Sequence, residues 1–295
     1  MNDLNIFIYP NFEKKHSGDT TLEACNRLAA LGCTVYMPLY CKEILPLSHV
    51  CYADTESAAQ LCDVMISVGG DGTILKCAKL AAKFEKELLG INCGRLGFMA
   101  TLERGELDLL EKLVSGDYHV DERMMLEATV ISDHGAKSSL TALNEAVISS
   151  GYGSGIHDFT VLANGLTVSS LRADGLIFST PTGASAYSLS AGGPLIEPTM
   201  DCIEFTQICP HSLFARTMVF APDRKIEVRF KADKDCAVIL SIDGQEPIRL
   251  SEADKLTLCR SDQRLRLIDI RGDGYFRAIN HKLMQPAKET EETVL

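Results

Sequence analysis

Residues Val64 to Ala78 read VMISVGGDGTILKCA. An apolar run suited to a buried strand empties into Gly69, Gly70 and Gly72 around one carboxylate, Asp71, and the residues that follow have helical spacing. Of all the features in the chain, this junction restricts the fold most. Glycine lets the backbone turn sharply and approach a ligand, and the first turn of the helix offers unsatisfied N–H groups to an anion. Gly69, Gly70, Gly72 and Thr73 are therefore a candidate phosphate loop. Asp71 is the odd member, because a carboxylate repels phosphate. It either caps the helix or stands beside the phosphates as the base that takes a proton from an attacking hydroxyl.

The first third of the chain repeats this rhythm. LNIFIY (Leu4 to Tyr9) and CTVYM (from Cys33) are short apolar runs; between them Leu22, Cys25, Leu28 and Ala29 recur at helical spacing, and Gly32 is a natural stop. LLGIN (Leu88 to Asn92) is another strand, and a helix near Glu106 to Val114 ends at Gly116. Strand–helix alternation predicts a parallel sheet with helices on its faces. After about Asp121 the runs become β-rich: LEATVI, DFTVLANGLTV, KIEVRF, AVILSIDGQEPIRL and LTLCRSDQRLRLIDI, with Asn164-Gly165 and Asp243-Gly244 as hairpin dipeptides. The expected fold is an α/β, Rossmann-like N-terminal domain over 1–121 followed by an all-β C-terminal domain over 122–272. A short helix is expected after Tyr275, and PAKETEETVL reads as a solvated tail.

Net charge is −11, which argues against a polyanion binder or a membrane-surface protein. A small phosphorylated ligand would have to be held by local backbone geometry. The eleven cysteines are odd in number and scattered, with no two-residue spacing, so they read as reduced structural thiols rather than a disulfide framework or a metal site. No apolar run approaches the roughly 20 residues that span a bilayer, and the N-terminus has no signal-peptide pattern. These features predict a cytoplasmic protein with neither nucleic acid nor membrane as partner.

A second cluster, LRADGLIFSTPTGASAYSLSAGGPLI from Leu171 to Ile196, concentrates Ser, Thr and Gly in an apolar frame. Thr182-Gly183 can end a strand and open a short helix, with Ser185, Tyr187, Ser188 and Ser190 supplying hydroxyls. A serine-rich turn that caps itself is the plain alternative. LNEAV places Asn144 and Glu145 at the start of a β run. Four separated segments, GGDGTIL (Gly69 to Leu75), NCGRLGF (Asn92 to Phe98), LNEAV (Leu143 to Val147) and RADGLIFSTPTGASAYSLSAGG (Arg172 to Gly193), resemble the NAD kinase family in residues, order and spacing. GGDGT alone is shared with diacylglycerol and sphingosine kinases, and phosphofructokinases carry a similar loop. The Arg172 to Gly193 segment is the specific one.

The resemblance implies two domains, with a C-terminal segment, 273–295, packing back on the first. It implies transfer of the γ-phosphoryl of ATP, or in some members of polyphosphate, to the 2′-hydroxyl of the adenosine ribose of NAD, giving NADP. It also implies Mg²⁺ with the donor and a homodimer or homotetramer. Carried over by position, Asp71 becomes the base, with Gly72 and the other glycines facing phosphate. Asn144 and Glu145 grip NAD through adenine and ribose, and Arg172 and Asp174 bind the dinucleotide. Ser185, Ala186, Tyr187, Ser188, Leu189 and Ser190 line the NAD pocket, and Gln245 makes a further contact. Phe98 forms an apolar wall or packs in the core, and His211 is a ligand contact or a core or interface histidine. The chain departs from the family in having Ser185 where Thr is common, Arg216-Thr217 for Arg-Pro, and the glycine-rich SSGYGSG (149–155), expected to be a mobile loop, where some members carry a basic contact. Two other readings remain at this point. A lipid kinase sharing GGDGT would need an apolar acceptor groove or a membrane-binding surface, and the sequence has neither an amphipathic basic helix nor a basic cluster. A non-catalytic dinucleotide sensor of the same fold would have no use for Asp71.

Overall fold

The computed structural model describes residues 4–94, 97–151, 155–212, 215–232, 236–272 and 274–281. It divides into two compact units, one of residues up to Asp121 together with those from Arg266 onward, the other Glu122–Leu265.

In the first unit, β1 (Asn5–Pro10), α1 (Ser17–Ala30), β2 (Thr34–Pro38), α2 (Cys41–Ile44), β3 (Val50–Ala53), α3 (Thr55–Leu61), β4 (Val64–Gly69), α4 (Asp71–Lys83) and β5 (Glu87–Asn92) alternate along the chain. The sheet order is β3-β2-β1-β4-β5, parallel throughout. The free edge of β5 is taken by β6 (Leu102–Glu103) and by Arg266 and Leu267, which pair with Glu87 and Leu88. Every residue of β4 is buried, as a strand covered on both faces requires. Ile6, Ile8, Ile66, Val68, Leu89 and Ile91 join one core cluster with Ala24, Cys25 and Leu28 of α1. The alternate residues Phe7, Met65 and Leu88 are also buried and face the other side, where α3 packs beside α4 and Ile74 of α4 lies against Gly90. A 3-10 turn (Arg104–Leu109) leads into α5 (Leu110–Ser115).

The second unit holds β7 (His119–Ile131), β8 (Lys137–Ala142), β9 (Glu145–Ser150), β10 (His157–Ala163), β11 (Leu166–Ala173), β12 (Gly175–Ser179), a 3-10 turn (Gly183–Ser185), α6 (Tyr187–Ser190), β13 (Ile203–Ile208), β14 (Met218–Phe220), β15 (Ile226–Lys231), β16 (Val238–Ile242), β17 (Ile248–Leu250) and β18 (Lys255–Asp269). One sheet has the order β14-β13-β12-β9-β16-β17, all antiparallel. The other runs β11-β10-β15-β18 and continues through β7 to β8. Inward residues of both sheets form one core cluster. Both expected hairpin dipeptides turn with positive φ: 49° and 81° at Asn164-Gly165, 52° and 66° at Asp243-Gly244. In the first unit, α7 (Gly274–Ile279) places Arg277 3.7 Å from Glu106, which also pairs with Arg271. The solvated tail expected after it lies outside the described residues.

Sequence periodicity misses α2, β3, α3, β6, β8, β13 and β14. The helix near Glu106 proves to be a 3-10 turn followed by a short α-helix. All eleven cysteines are free thiols; Cys51 and Cys209 are exposed. Burial above all pushes Cys25 up to about 12 and Cys62 and Cys202 up to about 11.

Phe178 and Phe205 pair across β12 and β13 and stack with ring centroids 5.0 Å apart. Phe178→Ala is expected to destabilise the protein by about 3–5 kcal/mol, the usual cost of emptying an aromatic core site. A urea titration should show a lower midpoint; an unchanged one would mean the core refills the space.

Candidate active site

Two clusters, one in each unit, carry the residues singled out by sequence. In the first, β4 ends at Gly69, Gly70 is extended, and α4 begins at Asp71. A side chain at position 69 would lie 2.3 Å from the Thr73 hydroxyl, so only glycine fits. That hydroxyl is buried and faces inward, accepting from the Gly70 N–H at 3.5 Å and from the Asn11 amide at 3.4 Å. The space beside Gly70 and Gly72 is open; the Thr73 N–H is spent on the Gly70 carbonyl at 2.8 Å, so it is the N–H of Gly72 that the first turn of α4 presents.

Asp71 does not cap its own helix. One carboxylate oxygen accepts the Phe98 N–H at 2.9 Å and the other the Met99 N–H at 3.3 Å. Any side chain at Gly97 would sit 2.0 Å from the carboxylate, so the second glycine of NCGRLGF is there to let Asp71 in. Asn92 shapes the preceding turn by accepting from the Gly94 N–H and donating to the Gly94 carbonyl. Arg95 and Leu96 lie outside the described residues. The carboxylate is half-buried and oriented by two donors, and Phe98 is half-buried beside it.

In the second unit the start of β9 is held by a residue that sequence reasoning reads only as a turn. The Asp243 carboxylate accepts the N–H groups of Leu143 (3.0 Å), Asn144 (2.8 Å) and Glu145 (3.2 Å), and the Asp243 N–H donates to the Glu145 carbonyl. Thr180 donates its hydroxyl to the Leu143 carbonyl and its N–H to the Asn144 carbonyl. With the backbone used up in this way, Asn144 Oδ1 and Glu145 Oε2 stay buried and without partners among the described residues, as does Thr182 Oγ1. Buried polar atoms left unpaired cost about 1–3 kcal/mol each, so a group of them marks where a ligand's donors belong.

The segment after β12 is brought to the same place. The Tyr187 N–H donates to Glu145. Tyr187 and Ser190 are exposed, Ser185, Ala186 and Leu189 half-buried, and Ser185 donates to the Thr182 carbonyl. Ser188 differs: it is fully buried, and its hydroxyl is spent on Glu204 at 2.8 Å and Thr206 at 2.9 Å. Gln245, exposed, follows the Asp243-Gly244 turn. Arg172 and Asp174 are not brought here. Glu145 pairs with Ser179 and Ser149 with Gly175, so Asp174 lies at the other end of β12, roughly 16 Å away at about 3.3 Å per residue. Arg172 pairs with Asp158 at 3.0 Å, and the N–H of His211 donates to the Arg172 carbonyl. His211 is exposed, so it is not a core histidine. In the glycine-rich stretch, Ser149 and Ser150 end β9, and residues 152–154 lie outside the described residues. Sequence reasoning misses Asp243, Glu204 and Gly97.

Burial, then the Asp243 charge, push the Glu145 carboxyl up to about 7 from 4.5, against the Tyr187 N–H, which lowers it; Glu204 adds to the rise. The folded state therefore holds the proton that the unfolded chain releases at lower pH, and stability falls as pH rises from about 4.5 to about 7. The loss expected from this group is about 3 kcal/mol. Urea midpoints across that range should decline more in the wild type than in Glu145→Gln; parallel curves would mean Glu145 titrates normally.

The description "ATP-NAD kinase N-terminal domain" matches residues 6–118, and "ATP-NAD kinase C-terminal domain" matches 143–270. The chain is 41% identical over 222 residues to the NAD kinase of Symbiobacterium thermophilum, covering 75% of this chain and 78% of the relative. To the NAD kinase of Natranaerobius thermophilus it is 33% identical over 287 residues, 95% and 97% of the two chains. An Archaeoglobus fulgidus NAD kinase solved in complex with ATP superposes with a TM-score of 0.70 at 25% identity, covering 95% of this chain and 98% of that one. Yeast NADH kinase complexed with NADH shares the fold, with a TM-score of 0.86 at 23% identity over 98% and 90% of the chains. On the two family matches and the length of these alignments, the chain belongs to the NAD kinase family.

Proposed function

We propose that this enzyme transfers the γ-phosphoryl group of ATP to the 2′-hydroxyl of the adenosine ribose of NAD, with Asp71 as general base. The observation that carries the reading is a carboxylate oriented by two backbone amides at the first turn of a helix whose glycine face is open. Asp71 takes the proton of the 2′-hydroxyl as its oxygen forms a bond to the γ-phosphorus. The bond from that phosphorus to the bridging oxygen breaks, and ADP leaves with the electron pair. The Gly72 N–H and the positive end of α4 meet the phosphate charge, so the anion and the base occupy different sides of one turn.

The unpaired Asn144 Oδ1 and Glu145 Oε2 suit donors on adenine and ribose. Ala186, Tyr187, Leu189 and Ser190 form the wall around them, with Ser185 and Gln245 at its margin. Ser188 acts through the buried Glu204 network by fixing the short helix rather than by touching NAD. Arg172, Asp174 and His211, at the far end of β12, bind the dinucleotide elsewhere along its length, and Phe98 is an apolar wall beside Asp71. Among the described residues no three His, Cys, Asp or Glu side chains are placed to hold a metal, and Mg²⁺ is commonly bound largely through substrate phosphates and water. The open space beside Gly70 and Gly72 leaves room for a triphosphate that carries such an ion, which would offset phosphate charge.

No helix among the described residues is long and apolar enough to cross a membrane. Cytoplasmic residence and assembly as a homodimer or homotetramer belong to the same reading, and the free thiols agree with a reducing compartment.

The test is NADP formation from NAD, ATP and Mg²⁺ by wild type and Asp71→Asn. The variant should lose about 10²–10⁴ in kcat, the usual worth of a general base, with little change in KM for NAD. Nearly full turnover would remove Asp71 as the base. Binding of NAD without turnover by the wild type would make the protein a sensor.

A further inference from the structure

The free edge of β5 changes hands along its length. Glu87 and Leu88 pair with Arg266 and Leu267 of β18, while Ile91 and Asn92 pair with Leu102 and Glu103 of β6. Thr101 stands at the handover. Its hydroxyl donates at 2.8 Å to the carbonyl of Ile268, the residue after the last of those β18 pairs. Its methyl meets the chain that follows β18: a side chain at Gly274, the first residue of α7, would come within 3.1 Å of it. That chain is itself held. The buried Asp269 carboxylate accepts the N–H groups of Arg271 and Gly274, both at 3.0 Å, and Glu106 pairs with Arg271 and Arg277. Two residues before Thr101 comes Met99, whose N–H reaches Asp71 at 3.3 Å, and before it Phe98, whose N–H does so at 2.9 Å. Met99 and Ala100 are buried, and a side chain at Gly90 would sit 3.1 Å from the Ala100 Cα.

We propose that Thr101 is a positioning residue for Asp71, holding the Phe98 and Met99 N–H groups at the carboxylate by tying their segment to the end of β18. This role rests on the kinase reading, in which Asp71 is the base, and adds to it a residue that acts without touching substrate. Two residues of chain span at most about 7 Å, so a displacement at Thr101 reaches the Met99 amide with little slack to absorb it. The β6 ladder is only two residues long, a short anchor for a loop that must also bring Gly97 against the carboxylate. The Thr101 hydroxyl adds a further point of attachment. The Met99 bond is the longer of the two on Asp71, and so the one that a shift of the loop breaks first. Losing it frees one carboxylate oxygen to rotate, and a base must lie within hydrogen-bond reach of the proton it takes.

The test compares the full chain as wild type, Thr101→Val, Thr101→Ser and Gly274→Ala, with NADP formation giving kcat and the KM values for NAD and ATP. Thr101→Val keeps the shape and removes the donor. Its kcat should fall about 10- to 100-fold, the upper value being the cost of a misplacement of about 1 Å, with both KM values unchanged. Thr101→Ser keeps the hydroxyl and should restore most of the rate. Gly274→Ala presses on the Thr101 methyl from the other side and should lower kcat by a smaller factor in the same pattern; it carries the comparison if Thr101→Val does not fold. Adding Thr101→Val to Asp71→Asn should cost nothing further, because the effect passes through the carboxylate. Full turnover in Thr101→Val, a rise in KM in place of the fall in kcat, or an equal further loss in the Asp71→Asn background overturns the proposal. Amide hydrogen exchange over 97–103 gives a reading without substrate: it should quicken in Thr101→Val and not in Thr101→Ser. If the wild type makes no NADP, the kinase reading falls, and exchange alone decides whether Thr101 holds the loop, an unchanged rate overturning it.

Discussion

One carboxylate accepting three consecutive backbone N–H groups sets the geometry of the start of β9 in the second unit. Without Asp243 the amides of Leu143, Asn144 and Glu145 would be buried with nothing to bond, at about 1–3 kcal/mol each. With it the chain is pinned, and the side chains of Asn144 and Glu145 are left facing a space the protein does not fill. Burial, and then the same charge that holds the backbone, raise the Glu145 carboxyl, so stability is given up at the place where the buried polar atoms lack partners. The first unit repeats the device with Asp71 and two amides. In each case an aspartate organises chain at or beyond the end of a sheet ladder, and the residues beside it acquire their direction from that bond.

Much of the architecture was legible because it depends on local rules. A fully buried β4, α1 with its apolar stripe, and the two Asx-Gly hairpins follow from periodicity and turn chemistry. The missed strands have different reasons. β3 is short and sits at the sheet edge, so its burial pattern is weak. β13 carries Glu204, Thr206 and Gln207 among its buried residues, and a buried polar strand looks like a loop until its partners, Ser188 and Thr217, are known. The helix α3 had a visible signal in Asp54, whose side chain accepts from the N–H groups of Glu56 and Ser57.

The candidate site was legible as residue types and not as relations. Asn144 and Glu145 stand out as adjacent polar residues opening a β run, but the residue that positions them is about a hundred positions away and carries an ordinary turn signature. Ser188 shows the converse. It sits in the middle of a hydroxyl-rich motif and looks like a ligand contact, yet burial turns its hydroxyl to Glu204. An acidic chain handling phosphates is no contradiction once its charges are located. The Gly72 N–H and the positive end of α4 act within a few ångströms, whereas net charge acts over the Debye length, about 8 Å at physiological salt.

The cysteines have a use beyond packing. Thiolates, not thiols, react, and burial holds the core cysteines protonated far above neutral pH. Cys51, on β3 of the first unit, and Cys209, just past β13 of the second, are the exposed pair. Each unit thus carries one fully exposed handle in its native sequence, while Cys236 and Cys259 of the second are half-buried. A dye attached at either exposed thiol would report on that unit's own surroundings as nucleotides bind, with no cysteine introduced.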